Sequence, residues 1–532
     1  MKQFTIDKNW SMYDAARQNI SASNVKYAVS FYGKKYTFGK IFRLIDVLAE
    51  NLKEKYRLGK GDTLTLCMPN SPSALIAFYA ANKLGAAVNL VHPYIPPEKL
   101  KESAEKTKSK LVVVYDAYPH KNRPEFSVAL LESDCGYFMG AAAKTYYRLT
   151  KKKLGWGEKL EKLLKGGKKT FSPPAKFGFD EPAVYLASGG TTGEPKIIMH
   201  NNYTFNLLCS KAPEFLRYDL DEYTSLYNVL PIFHGFGLCI NMHMCMMMRR
   251  TNIMCIKFDA KRSAKQIVKE KANILTGVPT MFLKLLGEKN FVNGDLSNIK
   301  DVFVGGDSVS AKLIDDFDAV LKRQGSKAEL YEGYGLTETV TVCVVNSAVH
   351  HKKGSLGYPL SGTRLAVAKD GKFLPCGEVG EIYIDSEQFM LGYMTGGNPF
   401  EEINGVRWLK TGDYGWLDED GFLYFKQRIK NMIKVSGVPV YPSEIEGAAM
   451  KVAGVKKACA IGISDPVRGQ HVRLYVEIAG DAEAVKAKIL SVCREQLIAY
   501  AVPREIVVKE RLPVNLIGKI DRKVLEEEVA KE

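Results

Sequence analysis

Short β-prone runs alternate with helical runs through most of the first ~430 residues, and this alternation constrains the fold more than any other feature. Thr63–Met68 reads as a strand, Ser73–Leu84 as a helix and Lys110–Tyr115 as the next strand. Such repetition suggests an α/β layering. At 532 residues the chain exceeds what one core holds, so two or more domains are expected. Two stretches look like boundaries. Gly166 to Phe179, rich in Lys, Gly and Pro, reads as a linker or surface loop. Lys426 to Lys434 is basic and turn-prone, after a turn at Asp418–Gly421. Beyond it, strands Ala458–Ile463 and Val472–Ile478, a helix Ala482–Leu497 and a strand Glu505–Lys509 make an α+β unit of about a hundred residues. The expected fold is therefore α/β: a large N-terminal domain of layered α/β subdomains over 1–428, then a small α+β domain over 429–532.

Hydrophobic residues make up 46% and charged residues 25%, as in ordinary soluble enzymes. The ten cysteines form no C-x-x-C pair and no secretory signature precedes them, so reduced thiols and a cytoplasmic location are expected. The most apolar stretch, Ala74 to Val91, is broken by Asn82, Lys83 and Asn89, so no transmembrane helix is expected.

Four motifs carry chemistry. The first is Ser188-Gly189-Gly190-Thr191-Thr192-Gly193-Glu194-Pro195-Lys196, directly after the strand Ala183–Ala187. Its glycines let successive N–H groups face inward as an anion nest, its hydroxyls add donors, and Lys196 adds charge. It lacks the spacing of a Walker A loop. A flexible surface turn is the plain alternative. In Tyr331-Glu332-Gly333-Tyr334-Gly335-Leu336-Thr337-Glu338, glycines flanking Tyr334 allow a flat ring to approach, and Glu338 offers a hard oxygen ligand for Mg²⁺. The third pairs Thr411-Gly412-Asp413, read as a tight turn, with a following Arg428; the carboxylate suits ribose hydroxyls and the guanidinium suits phosphate. The fourth is Leu512-Pro513-Val514-Asn515-Leu516-Ile517-Gly518-Lys519-Ile520, with an ammonium at a loop tip.

In this order and at these separations the four motifs resemble the adenylate-forming superfamily of acyl- and aryl-CoA synthetases, peptide-synthetase adenylation domains and luciferases. Weaker family-like blocks lie between them, among them Tyr36-Thr37-Phe38, Lys83-Leu84-Gly85-Ala86-Ala87, Pro231-Ile232-Phe233-His234, Gly277-Val278-Pro279-Thr280, Gly305-Gly306-Asp307-Ser308 and Gly377-Glu378-Val379-Gly380-Glu381-Ile382. The resemblance implies that ATP, Mg²⁺ and CoA are used to turn a carboxylic acid into a thioester. By it, Ser188 to Lys196 cradle the phosphates. Gly306, Asp307, Glu332, Gly333, Tyr334 and Gly335 border adenine, Thr337 contacts the α-phosphate, and Glu338 with Thr191 serves the metal. Asp413 and Arg428 hold ribose, and Lys519 bridges carboxylate and α-phosphate. The small domain would be mobile, turning at a hinge near Lys430 to bring Lys434, Ser436 and Gly437 to the pantetheine arm. His234, Phe236 and Gly305 would line the acid pocket. Gly189, Gln427 and Asn515 depart from the usual pattern without removing a charged group.

His234-Gly235-Phe236-Gly237 stands where amino-acid-activating members usually carry Asp, which favours a fatty or aryl acid. Six methionines follow, Met242, Met244, Met246, Met247, Met248 and Met254, either as a pocket wall or as a core helix. The net charge of +16 is concentrated in Lys144 to Lys176, which holds eleven basic and two acidic residues, a net +9. Within that segment Leu160, Leu163 and Leu164 have helical spacing, as expected either of an amphipathic face on an anionic membrane or of a solvated basic insertion. No nucleic-acid motif accompanies the charge. An acid:CoA ligase is expected, with a stand-alone adenylation enzyme loading a carrier-protein thiol as the alternative. A non-catalytic membrane-binding scaffold is the rival from another class; it has no need of Lys196, Glu338, Asp413, Arg428 and Lys519 together.

Overall fold

The computed structural model describes residues 4, 6–18, 25–120, 122–150, 154–165, 171–187, 196–436, 438–514 and 520–530. Local chemistry sets the elements. The helix Pro72–Lys83 starts where the Ser71 hydroxyl accepts from the Ala74 N–H at 3.2 Å, with Pro72 in the first turn. It has almost no polar face, and every residue in it is buried. Its one charge, Lys83, reaches Asp46 at 2.7 Å on the helix Phe38–Tyr56, and Asp46 also accepts from the Tyr13 hydroxyl at 2.6 Å. The expected helix and strands are present with ends displaced by a few residues: Thr63–Cys67, Ser109–Tyr115, Ala482–Gln496 and Glu505–Val508.

Four sheets are formed among the described residues. One of nine strands contains the mutually parallel set Ser225–Asn228, Thr251–Met254, Ile274–Gly277, Asp301–Gly305 and Leu330–Gly335. One of eight strands is parallel across Thr63–Cys67, Ala87–Leu90, Ser109–Tyr115, Ala129–Ser133 and Val184–Ala187. These two share the main core. A six-stranded antiparallel sheet runs from Thr363 to Arg428. The fourth, of five strands, lies between Ile433 and Val508 and has its own core around Ile445, Val472, Leu474 and Ile489. The architecture is thus a large layered body followed by a small α+β domain.

One expectation gives way, and one pair of alternatives is decided. The leucines at 160, 163 and 164 do not form a surface helix: Leu160–Lys162 is a single 3₁₀ turn, and all three leucines and Trp156 are buried in the main core. Glu161 fixes the turn there, accepting from the Ser133 hydroxyl at 2.7 Å and the Asp134 N–H at 3.0 Å. The six methionines between 242 and 254 are at most 2% exposed and belong to the same core, so they fill its interior, not a pocket wall. Of the expected loop at 166–179, residues 166–170 lie outside the described residues.

Candidate active site

A cavity of about 1010 Å³ opens at the carboxyl ends of the parallel strands of both large sheets. Ligands of open α/β sheets bind at such edges because the strand ends leave a crevice there. Asn70 and His92 approach from one sheet; Pro231, Val278, Gly305 and Gly333 approach from the other. Asn70 ties the two together, donating to Asn228 Oδ1 at 3.1 Å and the Leu230 carbonyl at 2.8 Å and accepting from the Ile232 N–H at 3.0 Å. Thr411, Asp413 and Arg428 close a third side, and Ile429 and Ile520 complete the lining.

One end of the cavity is polar. Asp413 lies in the long strand Val406–Leu417, opposite Arg428 in the ladder, so the expected tight turn is instead a strand kinked at Gly412, whose φ is +70°. The Asp413 carboxylate accepts from the Tyr334 hydroxyl at 2.8 Å and pairs with Arg428 Nε at 3.3 Å. Burial, reinforced by Asp413, pushes the Tyr334 phenol well above its usual value, so it remains a donor. Nearby, Glu338 in the turn Thr337–Thr339 accepts from the Tyr393 hydroxyl at 2.8 Å. The Lys196 ammonium lies 4.2 Å from the centre of the Tyr393 ring. His200 Nε2 is 2.7 Å from the Thr337 carbonyl oxygen. Burial lowers the His200 imidazole to about 4, so it is neutral near pH 7 and its Nε2–H donates to that carbonyl.

The corner beside this turn is tight. Val340 has φ 67° and ψ −57°, and the Thr341 N–H reaches the Thr339 carbonyl at 2.8 Å. That is a γ-turn of the rare hand, strained for a β-branched residue. Glycines make room for it: a Cβ on Gly235 would meet the Val340 carbonyl oxygen at 1.7 Å, and one on Gly335 would meet that of Thr341 at 1.6 Å. Much of the remaining wall is apolar, with Phe215, Phe236, Ile240, Phe303, Val342 and Val345.

Of the residues singled out in the sequence, Lys196, His234, Phe236, Gly305, Gly306, Gly333, Tyr334, Gly335, Thr337, Glu338, Asp413 and Arg428 line this one cavity. Glu332, Asp307 and Lys434 do not. Burial raises the Glu332 carboxyl to about 7, Asp307 is exposed and accepts from the Ser308 N–H at 3.0 Å, and Lys434 is exposed on the strand Ile433–Val435. Lys430 sits in the turn Ile429–Asn431, next to the lining residue Ile429. Ser188, Gly189, Gly190, Thr191, Thr192 and Gly193, with Gly437 and Lys519, lie outside the described residues; their neighbours Lys196 and Ile520 line the cavity. The sequence reading missed Tyr393, His200 and Asn70, whose partners are 55, 137 and 158 or more positions away.

Comparison with known proteins identifies the family. Residues 16–394 match the model of the AMP-binding enzyme family, and residues 444–519 match that of the AMP-binding enzyme C-terminal domain. A long-chain-fatty-acid–CoA ligase of Bacillus subtilis is 29% identical, covering 94% of this chain and 92% of its own length. A 2-succinylbenzoate–CoA ligase of Bacillus velezensis is 25% identical, covering 98% of both. Among solved structures, an anthranilate CoA ligase with anthranoyl-AMP superposes with a TM-score of 0.82 at 21% identity, covering 99% of each chain. ATP-bound MatB from Rhodopseudomonas palustris gives 0.82 at 22%, covering 98% of this chain and 99% of its own. The chain belongs to the AMP-binding enzyme family, the adenylate-forming enzymes. It is an ATP-dependent, AMP-forming ligase of the acyl-CoA synthetase type.

Proposed function

We propose that this enzyme activates a fatty acid as acyl-AMP and transfers the acyl group to CoA. The observation that carries the reading is the continuity of one cavity, from Tyr334, Asp413 and Arg428 past Glu338 and Lys196 to walls of Phe215, Ile240, Phe303 and Val345. A nucleotide needs the first end and a hydrocarbon chain the second. The seven long-chain-fatty-acid–CoA ligases among the relatives, each 28–29% identical, support the same choice of acid.

In the first half-reaction a carboxylate oxygen attacks the α-phosphorus of ATP and pyrophosphate leaves. Two anions approach, so cations and donors must offset the charge that develops. The loop 188–196 with Lys196 takes the β,γ-phosphates, Thr337 the α-phosphate, Asp413 and Arg428 the ribose, and Gly306 and Tyr334 border adenine, while Gly305 lines the acid pocket with His234 and Phe236. Lys519 bridges the reacting groups. Glu338 presents a carboxylate to the cavity, a hard donor suited to Mg²⁺. By the family resemblance Glu338, with Thr191, would hold such an ion; among the described residues no group of three or more His, Cys, Asp or Glu gathers to hold a metal. When bound, that ion would offset phosphate charge. In the second half-reaction the CoA thiolate attacks the acyl carbon and AMP leaves. The domain 429–532 turns near Lys430 between the two steps, bringing Lys434, Ser436 and Gly437 to the pantetheine arm.

The test is CoA-dependent AMP release across short-, medium- and long-chain and aryl acids. Long-chain acids are expected to give the highest kcat/KM. Acyl-AMP formed without CoA consumption would instead assign the enzyme to a carrier-protein thiol, and no AMP release with any acid would overturn the reading. Lys519→Ala should lower acyl-AMP formation by about 10²-fold or more with little change in ATP affinity, because its charge acts mainly in the transition state.

A further inference from the structure

We propose that Asp465 is a positioning residue for the thioester-forming step: through the turn it builds, it fixes the backbone of the segment 434–436, which is read above as meeting the pantetheine arm and on which reading this inference rests. Ser436 follows the strand Ile433–Val435, and its φ is +52°, in the left-handed region that a residue with a Cβ enters at a cost. Contacts from outside the segment hold it there. The Ser436 N–H donates to the Arg468 carbonyl at 2.6 Å. The Lys434 N–H donates to Gln470 Oε1 at 2.8 Å, and Val435 pairs with Gly469 in the ladder. Three successive residues are thus tied to one turn, 465–470.

That turn joins the strands Val455–Asp465 and Gly469–Ile478, and Asp465 shapes it. Its Oδ1 accepts from the Val467 and Arg468 N–H groups, each at 2.9 Å. These two bonds fix the peptide planes that lead into the carbonyl used by Ser436. The other oxygen, Oδ2, accepts from Arg504 Nη1 at 2.6 Å and lies 3.5 Å from His471 Nδ1. Arg504 is itself anchored, its N–H donating to the Val472 carbonyl at 2.9 Å. Asp465 is buried, whereas Val467 at the tip of the turn is 90% exposed, so the tip gains no hold from packing.

Lys434 and Ser436 are exposed, and neither lines the cavity. The clasp is therefore complete before the segment is used. All its members lie between Ile433 and Val508, within the fourth sheet and its turns, so it travels with the small domain when that domain turns. A segment already shaped loses little freedom on meeting CoA; a loosened one must be ordered at each encounter. Asp465 touches no reacting atom and acts through Arg468 and Ser436.

The experiment measures acyl-AMP formation and thioester formation separately, by rapid quench, in the intact enzyme and its variants. Asp465→Ala removes both caps, so it should raise KM for CoA and slow thioester formation by about tenfold or more, with acyl-AMP formation and KM for ATP within about twofold of wild type. Asp465→Asn keeps an oxygen that accepts from both N–H groups and should recover thioester formation to within about threefold of wild type. Full thioester activity in Asp465→Ala, equal loss in both steps by a variant that melts like the wild type, or an Asn variant as impaired as the Ala variant overturns the proposal. Where Asp465→Ala melts early, Arg504→Gln decides: it leaves the caps and loosens the carboxylate's other oxygen, so it should slow thioester formation alone by about threefold; no selective slowing overturns the proposal. Gly437→Phe tests the underlying reading. Unchanged thioester formation there would remove the segment from the pantetheine path and overturn both, whereas a selective loss there with none in Asp465→Ala overturns the role of Asp465 alone.

Discussion

At the scale of single residues, two side chains near the site are out of balance with their surroundings. His200 is wholly buried, and its imidazole is lowered to about 4 against an ordinary 6.5. Between those values the unfolded chain binds a proton that the folded chain refuses, so the native state loses stability as pH falls from about 6.5 to 4. His200→Gln keeps an N–H toward the Thr337 carbonyl and removes the titration. Melting temperature against pH should therefore be flatter for the variant over that window, and an unchanged slope would exclude His200 as a source. Gln427 is the second. It is 3% exposed, and neither its Oε1 nor its Nε2 has a hydrogen-bond partner among the described residues. Gln427→Met, similar in volume, removes an unsatisfied amide and should stabilise by about 1–3 kcal/mol; a lower denaturation midpoint would show that the amide finds a partner in solution. Motifs built from neighbours in sequence, such as Tyr334 to Glu338, were legible because the chain itself brings them together. Tyr393 and His200 were not. Each is an isolated aromatic or polar residue in a short strand, and its role exists only once the strands Ile197–His200 and Gly392–Tyr393 pair.

At the scale of elements, helical spacing of leucines said that something apolar was being covered but not what covers it. Leu160, Leu163 and Leu164 fit a membrane face as well as a core turn until the position of Glu161 is known. Its carboxyl, raised by burial, is held at the end of the strand Ala129–Ser133, and this turns the leucines inward. The exposed leucine of this region, Leu149, belongs to the preceding helix, Ala141–Thr150. Leu160→Ala should cost about 2–5 kcal/mol of stability, as for a fully buried leucine, while Leu149→Ser should stay within about 0.5 kcal/mol. Chemical denaturation of the two variants checks this, and comparable losses would contradict the assignment of faces. The methionine run was ambiguous for a similar reason. It continues the helical stretch from Phe236, and only Phe236, Gly237 and Ile240 of that stretch reach the cavity.

At the scale of the whole molecule, α/β layering and a small C-terminal unit were readable from periodicity. Which strand ends face each other was not, because the two large sheets interleave distant segments. The segment between the third and fourth sheets is short: Arg428 ends one strand, the turn Ile429–Asn431 follows, and Ile433 begins the next. If the domains exchange orientation there, fixing one dihedral should separate the two half-reactions. Lys430→Pro should leave acyl-AMP formation within several-fold of wild type and slow thioester formation by about tenfold or more, since proline locks φ near −65°. Rapid-quench measurement of each step decides this, and equal loss in both would place the pivot elsewhere.

Ile520 of the small domain lines the same cavity as Asn70 and Asp413 of the large one. Neither part alone encloses the reaction chamber, so a molecule that fills it becomes a staple across the seam. An inert mimic of acyl-AMP should therefore make the two parts melt together at a higher temperature, and it should leave no faster than the seam can part.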